Sequence, residues 1–585
     1  MSIWPSNHPY AALLAELVKF VEQEREIGIA RCIESWGRPM AEKLRSGLAQ
    51  QFAEIDAGED ARLLVAALGK GESRFREGDR LCIHDGSALS DNAVRGVVFE
   101  HEGEDGWELR CRTGADARAL LKLGMVYAEQ DVADLSAMFL QALADIAMSG
   151  QAGDDILGLL DGRRPFQFNP QDDEYAYQHA LAQGLNALQA EAVGKAYSAE
   201  QVACIQGPPG TGKTRVLALA AAMMVARGER VLVTSHTHTA INNALSKIAA
   251  HGVPTLKVGS VTQLRGLAGS AEQAENFADW ESRPAGGYVV GATPFATCSL
   301  RLQGCAFDTV IFDEASQVTV PLALMAMRAG KRFVFIGDQQ QLPPVVLSRS
   351  ILSGSASVFS RLTTENEDSV MLRETYRMNR WLTAWPSRHF YRGALTAAGP
   401  NAERTLAPAS APVAASFAGA LLAAPYSAVF VPTLDRTARS RNLADAALVV
   451  AICVAARAGG IELSDIGIVT PYRSQGRAIR TLLKKAFGRA AKAIVADTVE
   501  RMQGQERELV ILSLATGDLA YLAAVAGFFF QRERLNVSVT RAMTKLVIIG
   551  PEVPPELTCD DDQVAANIAL YRDLAASCAR FACPP

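Results

Sequence analysis

The sequence predicts an α/β fold: two parallel-sheet domains in tandem, behind an N-terminal helical stalk that carries a small β-barrel. Three observations predict it. Short apolar runs separated by helical stretches recur in two series after residue 185. A period of two governs a stretch after Phe75, and a helical period flanks that stretch on both sides. At 585 residues the chain is also too long for a single hydrophobic core.

Taken in chain order, residues 1–74 read as a helical arm. Leu13, Leu14, Leu17, Val18 and Val21 recur at helical spacing, and Leu63, Leu64 and Leu68 close a later segment. Residues 75–130 read as a small antiparallel barrel: Leu81 alternates with Ile83, and Val94–Phe99 and Trp107–Cys111 flank an Asp105-Gly106 turn. Helical spacing returns at Val132, Leu135, Phe139, Leu143 and Ile146, so 131–184 read as the returning half of the stalk.

The first α/β domain, 185–365, has its apolar runs at Val202–Ile205, Val231–Val233, Tyr288–Val290, Thr309–Phe312 and Phe333–Ile336. The second, 366–585, has them at Val429–Val431, Ile466–Val469, Ile494–Val495, Leu509–Leu512 and Leu546–Ile549. An Ala- and Pro-rich stretch at about 397–424 reads as a loosely structured insertion in the second domain. There is no tandem repeat of fixed period.

Composition excludes several classes. Hydrophobic residues at 49% and charged residues at 21% are ordinary globular values, against a disordered or fibrous chain. The apolar runs from Val216 and from Ala446 stop at Arg227 and Arg457, short of a bilayer span. The first twenty residues lack a basic start, an apolar stretch and a cleavage site, so a cytoplasmic location is expected, with no membrane partner. The ten cysteines contain no C-x-x-C pair, which leaves zinc ribbons and iron–sulfur sites without support. With 58 basic against 63 acidic residues and a net charge of −5, any polyanion must be held by a local surface.

Gly207-Pro208-Pro209-Gly210-Thr211-Gly212-Lys213-Thr214 follows a strand-like run and precedes the helical Val216–Leu219, the context in which a glycine-rich loop cradles phosphates. The glycines let backbone N–H groups turn onto the phosphates, Lys213 reaches the terminal oxygens, and the Thr214 hydroxyl suits Mg²⁺. Asp313 and Glu314 end a hydrophobic run about a hundred residues later. Alone, such a pair is ordinarily a solvated strand end. Beside a phosphate loop, Asp313 would hold the Mg²⁺ shell and Glu314 would orient and deprotonate water. His236 and His238, two apart with no third ligand nearby, read as polar loop residues rather than metal ligands.

The strings Asp313-Glu-Ala-Ser-Gln317, Gly337-Asp-Gln-Gln-Gln341-Leu-Pro-Pro344 and Glu374-Thr-Tyr376-Arg377-Met-Asn379 resemble the superfamily 1 helicases of the up-frameshift-like branch. Leu185-Asn-x-x-Gln189, Val233–Asn243, Gly291-Ala-Thr293-Pro294, Ile468–Gln475, Asp497–Glu506 and Arg534–Ala542 extend the resemblance over about residues 185–550. It implies two RecA-like domains, ATP and Mg²⁺ as cofactors, and 5′-to-3′ movement on single-stranded DNA or RNA.

By that resemblance Gln189 would read the adenine edge, which an amide suits as donor and acceptor together. Tyr376 would stack on the base and Glu506 would bind the ribose. Arg377 and Arg541, from the second domain, would stabilise charge on the transferring phosphoryl group, and Gln341 would report whether ATP or ADP is bound. Thr234, Ser235, Asn242, Thr293, Pro294, Thr470, Tyr472, Ser474, Gln475 and Thr498 lie in strings that would face the strand. Any one of these hydroxyls or amides, taken alone, is as readily a cap or turn residue. The barrel resembles an accessory module of the branch.

Two alternatives share every motif: an ATP-gated nucleoprotein remodeller or clamp that opens no duplex, and the motor subunit of a helicase–nuclease assembly. No cysteine cluster or extra domain follows the last motif, so a nuclease activity is expected only from a partner.

Overall fold

The computed structural model describes residues 4–582 except 6, 59–60, 69–72, 74, 76–77, 103–105, 124, 133, 265, 349–355, 365–367 and 407–415. A 26-residue helix, α1 (Ala11–Trp36), begins the chain, followed by α2 (Met40–Ser46). Six antiparallel strands then close a barrel: β1 (Ala49–Ala57), β2 (Arg62–Leu68), β3 (Arg80–His84), β4 (Val94–Glu102), β5 (Trp107–Arg110) and β6 (Val126–Gln130). Their order is β1-β2-β5-β4-β3-β6. Inside, the Trp107 ring stacks on Phe99 at 4.0 Å and meets Phe52 edge-on at 5.2 Å.

Two of these strands correct the sequence reading, which placed Leu63, Leu64 and Leu68 on a helix. Leu63 and Val65 point into the barrel while Leu64 is 53% exposed, so an outward leucine filled the polar slot and hid the period of two. The Gly106 end of the expected Asp105-Gly106 turn is described; Asp105 lies outside the described residues.

The barrel is fastened to the far end of α1. Trp36 Nε1 donates to the Gln130 carbonyl at 3.1 Å, and the Arg95 guanidinium lies 4.4 Å above the Trp36 ring. The buried Lys43 ammonium pairs with the buried Glu129 carboxylate. The near end of α1 is not a free arm. Leu13, Leu14, Leu17 and Phe20 pack with Leu143, Ile146 and Leu157 of α4 (Ser136–Ala147) and α5 (Gln151–Leu160), in one core with Val202, Phe312 and Phe335 of the first α/β sheet.

That sheet contains β7 (Val202–Gln206), β8 (Arg230–Thr234), β9 (Thr255–Val258), β10 (Glu272–Ala274), β11 (Tyr288–Gly291), β12 (Thr309–Phe312), β13 (Arg332–Gly337) and β14 (Val370–Met371). All its pairings are parallel, in the order β10-β9-β11-β8-β12-β13-β7-β14. Helices cover both faces, which is why β8, β11 and β12 read as unbroken apolar runs. On one face lie α6 (Pro170–Ala182), α7 (Ala187–Ser198), α8 (Lys213–Ala226) and α9 (His238–Ala249). Thus α6, read as part of the stalk, shares its core with α7 and α8, and β14 carries the first unit past residue 365.

After a short ladder of β15 (Glu374–Thr375) with β16 (Thr396–Ala397), a second parallel sheet forms. It comprises β17 (Ala428–Pro432), β18 (Ile466–Thr470), β19 (Val495–Thr498), β20 (Arg507–Ser513), β21 (Ala542–Gly550) and β22 (Ala579–Arg580), in the order β19-β18-β20-β21-β17-β22. The Ala/Pro-rich stretch read as loosely structured contains regular structure. Residues 407–415 lie outside the described residues, but a helix at Phe417–Ala423 buries Leu421 and Leu422 in the second core, as an Ala- and Leu-rich run without internal proline can. Among the described residues, no helix is long and apolar enough to cross a membrane.

Candidate nucleotide site between two parallel-sheet units

The carboxyl ends of β12, β13 and β7 lie side by side, the place where open parallel sheets bind ligands. The loop after β7 turns on Gly210 (φ +74°) and Gly212 (φ +85°), a conformation that L side chains resist. Space forbids them too: a Cβ on Gly210 would lie 2.4 Å from Arg377 Cβ, and one on Gly212 would lie 2.5 Å from Gln189 Nε2. The loop then feeds the N-terminus of α8, whose unpaired N–H groups and dipole attract anions. Gly207 N donates to the Gly337 carbonyl at 2.9 Å, tying the loop to the end of β13. Pro208 and Pro209 are buried, and the Thr211 hydroxyl donates back to the Pro208 carbonyl at 2.8 Å. Lys213 Nζ rests on the Gly207 carbonyl at 2.6 Å, and Thr214 is partly exposed at the start of α8.

β12 delivers Asp313 and Glu314 beside that lysine. Burial, and then the Glu314 charge, push the Asp313 carboxyl up to about 7, while the Lys213 charge pulls it back. Glu314 adopts a left-handed backbone (φ +51°, ψ +40°), uncommon for a non-glycine residue and typical of functional sites. Its N–H donates to Asp313 Oδ1 at 3.0 Å. His236 is buried close enough to Glu314 to feel its charge: burial lowers the imidazole and Glu314 raises it. Among the described residues no group of three or more His, Cys, Asp or Glu side chains could hold a metal ion by itself. A buried carboxylate beside Lys213, with the Thr214 hydroxyl one residue on at the start of α8, is a donor set that fits Mg²⁺ arriving with a phosphate ligand.

The second unit completes the site. Tyr376 N donates to the Gly210 carbonyl at 2.9 Å, so the loop is backed by the segment leaving β15. Arg377 Nε donates to Glu506 at 2.6 Å and its Nη1 to the Thr540 carbonyl at 3.2 Å. Arg541 is 1% exposed and held by carbonyls: Nε on Val537 at 2.9 Å and Nη1 on Gln505 at 3.2 Å. Burial and the Arg377 charge push this guanidinium down to about 9, and the Glu314 carboxylate opposes them, so Arg541 and Glu314 sense each other across the cleft. Gln503 Nε2 also reaches Glu314 from the second unit, at 3.3 Å.

Two family models, each described as an AAA domain, match residues 184–399 and 354–553, and so take in both halves of this site. The human DNA replication ATP-dependent helicase/nuclease DNA2 is 28% identical over 409 residues, covering 65% of this chain and 38% of the human protein. The Arabidopsis thaliana helicase/nuclease JHS1 is 27% identical over 383 residues, covering 63% of this chain and 28% of its own. Across both halves of the site the chain is thus similar to DNA2-type helicase/nucleases, in line with the resemblance carried by its motifs. It spans well under half the length of these curated relatives. Among solved structures, the Arterivirus nonstructural protein 10 helicase aligns over 88% of this chain and 80% of its own at 15% identity, with a TM-score of 0.38.

Other residues of the matched strings sit differently from their sequence reading. Gln189 is buried: its Oε1 accepts from Asn186 N at 3.2 Å and its Nε2 donates to the Thr211 carbonyl at 3.0 Å. Here it caps α7 and braces the loop instead of offering a free amide edge. Tyr376 is 38% exposed, with its hydroxyl donating to Glu374 and accepting from Asn186. Glu506 is half-exposed and occupied by Arg377. Gln341 is buried with its amide on Asp338 at 2.9 Å.

The strand-facing set divides. Thr234, Ser235, Asn242, Pro294, Thr470, Gln475 and Thr498 are buried, whereas Thr293, Tyr472 and Ser474 keep part of their surface. Gln475 is a correction: its amide donates to the Asn442 carbonyl and Ser513 Oγ and accepts from Asn442 N, fastening a helix start to the sheet. Asn242 likewise spends its Nδ2 on the Gln263 carbonyl. An amide that serves internal structure carries the same letter as one that serves a ligand, so the strings could not separate them. The Thr234 and Ser235 hydroxyls find no hydrogen-bond partner among the described residues, an uncommon condition for buried polar atoms.

Three residues escaped the sequence reading. Asp338 lies within a matched string, yet nothing in that string announces that it is 1% exposed and receives four hydrogen bonds. Tyr391 follows Arg388 and His389 and precedes Arg392, and Asn536 lies inside the matched Arg534–Ala542 string; neither setting announces the bond the two residues make.

Proposed function

We propose that this protein is an ATP-driven motor that moves along single-stranded DNA or RNA and unwinds duplexes, in the 5′-to-3′ direction implied by its branch. The observation that carries the reading is the division of the site. The phosphate loop and carboxylates come from the first sheet, and the backing Tyr376–Arg377 and the buried Arg541 come from the second unit.

When ATP enters, Lys213 leaves the Gly207 carbonyl for the phosphate oxygens, and loop N–H groups and the α8 terminus take the remaining charge. Mg²⁺ held by Thr214 and Asp313 would neutralise charge between the outer phosphates. Glu314 orients the attacking water and accepts its proton. Arg377 and Arg541 offer two guanidinium groups to the charge that develops on the leaving phosphates, which makes hydrolysis depend on the second unit's position. Gln341 reports the state of the outermost phosphate. Tyr376 takes the base and Glu506 the ribose, with Gln189 bracing the loop behind them.

The strand crosses the partly exposed Thr293, Tyr472 and Ser474. The helical stalk and barrel form an accessory module beside that path, and the location is cytoplasmic. A strand-displacement assay tests the reading with duplexes carrying a 5′ or a 3′ overhang. ATP-dependent release confined to the 5′ overhang supports it. Displacement of a bound protein with no duplex opened on either substrate would replace unwinding by remodelling.

A further inference from the structure

A chain of buried hydrogen bonds runs from the loop after β13 to the helix that precedes Arg541, and its middle members, Asp338, Tyr391 and Asn536, have no part in the steps above. It starts at Asp338, directly after β13. Oδ1 accepts from Gln206 Nε2 at 3.2 Å and from Gln340 N at 3.1 Å; Oδ2 accepts from Gln341 Nε2 at 2.9 Å and from the Tyr391 hydroxyl at 2.7 Å. The Tyr391 hydroxyl in turn accepts from Asn536 Nδ2 at 2.9 Å, and the same amide donates to the Gln340 carbonyl at 2.8 Å. The Asn536 carbonyl accepts from the Thr540 hydroxyl at 2.7 Å, and Arg541 follows, its Nε on the Val537 carbonyl of the same helix, Arg532–Val539. Asp338, Tyr391 and Asn536 are 1%, 2% and 0% exposed, so water does not compete for these bonds.

We propose that Tyr391 and Asn536 are positioning residues that latch the Arg541 helix to the Asp338 loop and so transmit the nucleotide state of the first unit to the second. The inference rests on the motor reading above, and names the part through which the two units communicate. The physical argument is one of donors. Asp338 is a fully buried carboxylate: burial raises it, and the Lys213 charge and its hydrogen bonds from Gln341, Tyr391 and Gln340 work against that burial. A nucleotide that draws Gln341 and Lys213 to its phosphates removes one of the two donors to Oδ2 and part of the compensating charge. The Tyr391 hydroxyl then becomes the chief donor to that oxygen. Leaving a buried carboxylate short of donors is costly, so Tyr391 and the amide of Asn536 behind it are drawn toward the first unit, and Arg541 moves with their helix.

The latch needs the hydroxyl and not the ring. Tyr391 packs among Leu342, Phe390 and Leu395, an apolar setting that phenylalanine fills equally well. Tyr391→Phe therefore removes the link with little change to the core, and a melting temperature reports whether the fold survives. The readout is the dissociation constant for a single-stranded oligonucleotide, measured with a non-hydrolysable ATP analogue and with ADP. For the unaltered protein a ratio of about tenfold between the two states is expected, within the usual range of coupling between sites. In Tyr391→Phe the ratio falls below about twofold while the KM for ATP stays within about threefold.

Asn536→Leu gives the same collapse, and the double variant is no worse than either single one, because one chain is broken once. If Asn536→Leu does not fold, Tyr391→Phe carries the test alone. A wild-type ratio in a folded Tyr391→Phe variant overturns the latch. So do additive losses in the double variant. Failure of the motor reading looks different: ATP turnover in the unaltered protein that no oligonucleotide stimulates.

Discussion

Replacing Arg541 with alanine separates catalysis from nucleotide binding. Two hydrogen bonds to the Val537 and Gln505 carbonyls hold the guanidinium, each typical of a charged donor and worth about 1.5–3 kcal/mol. Against them stand burial and then the Arg377 charge, which push the group from 12.5 down to about 9. The two oppose each other, while the cavity and the unpaired Val537 and Gln505 carbonyls left by alanine lower the melting temperature. Hydrolysis has no such opposition. A guanidinium supplied across a cleft is worth about 10³–10⁵ in turnover, or about 4–7 kcal/mol of barrier. Arg541→Lys should not rescue it, because one ammonium cannot span two carbonyls while presenting a planar face to phosphate. The assay pairs steady-state ATP turnover at saturating oligonucleotide with equilibrium binding of a fluorescent ATP analogue. A loss of about a thousandfold or more in turnover, with affinity held within about threefold, is expected. Equal losses in both, or turnover within about tenfold of the unaltered protein, would refute the reasoning.

Gly210→Ala should weaken nucleotide binding by more than about tenfold in equilibrium titration, since the added methyl must adopt a left-handed backbone and displace the Arg377 and Thr375 side chains. Asp445, buried and hydrogen-bonded by Thr433 and Leu434, predicts a pH effect: burial raises its carboxyl from 3.8 to about 6. The protonated acid is therefore favoured in the fold, and the stability it contributes is complete below about pH 4 and lost as pH rises through about 6. Asp445→Asn should raise the calorimetric melting temperature at pH 8, by at most the equivalent of about 3 kcal/mol, and change it little at pH 4. The opposite order would contradict the assignment.

The parallel sheets were legible because burial on both faces leaves strands such as Val231–Val233 and Thr309–Phe312 no polar slot. The loop from Gly207 to Thr214 was legible because its chemistry needs glycines at fixed places. The first barrel strands were not, since Leu64 is an exposed leucine where alternation asks for a polar residue. Neither was the division among the strand-facing residues: whether Gln475 meets Asn442 or a phosphate depends on a contact 33 residues away in sequence. Tyr391 and Asn536 are 145 apart, and no local period announces that they meet. Sequence periodicity reports which face is buried; it does not report which buried polar groups find one another.

The measurement that bears most directly on a motor divided between two units is ATP turnover with no nucleic acid and with matched single-stranded DNA and RNA oligonucleotides, alongside Lys213→Ala. Turnover that rises with at least one oligonucleotide and vanishes in the Lys213 variant is the predicted result. Turnover indifferent to both oligonucleotides, or unaltered in Lys213→Ala, would contradict the account.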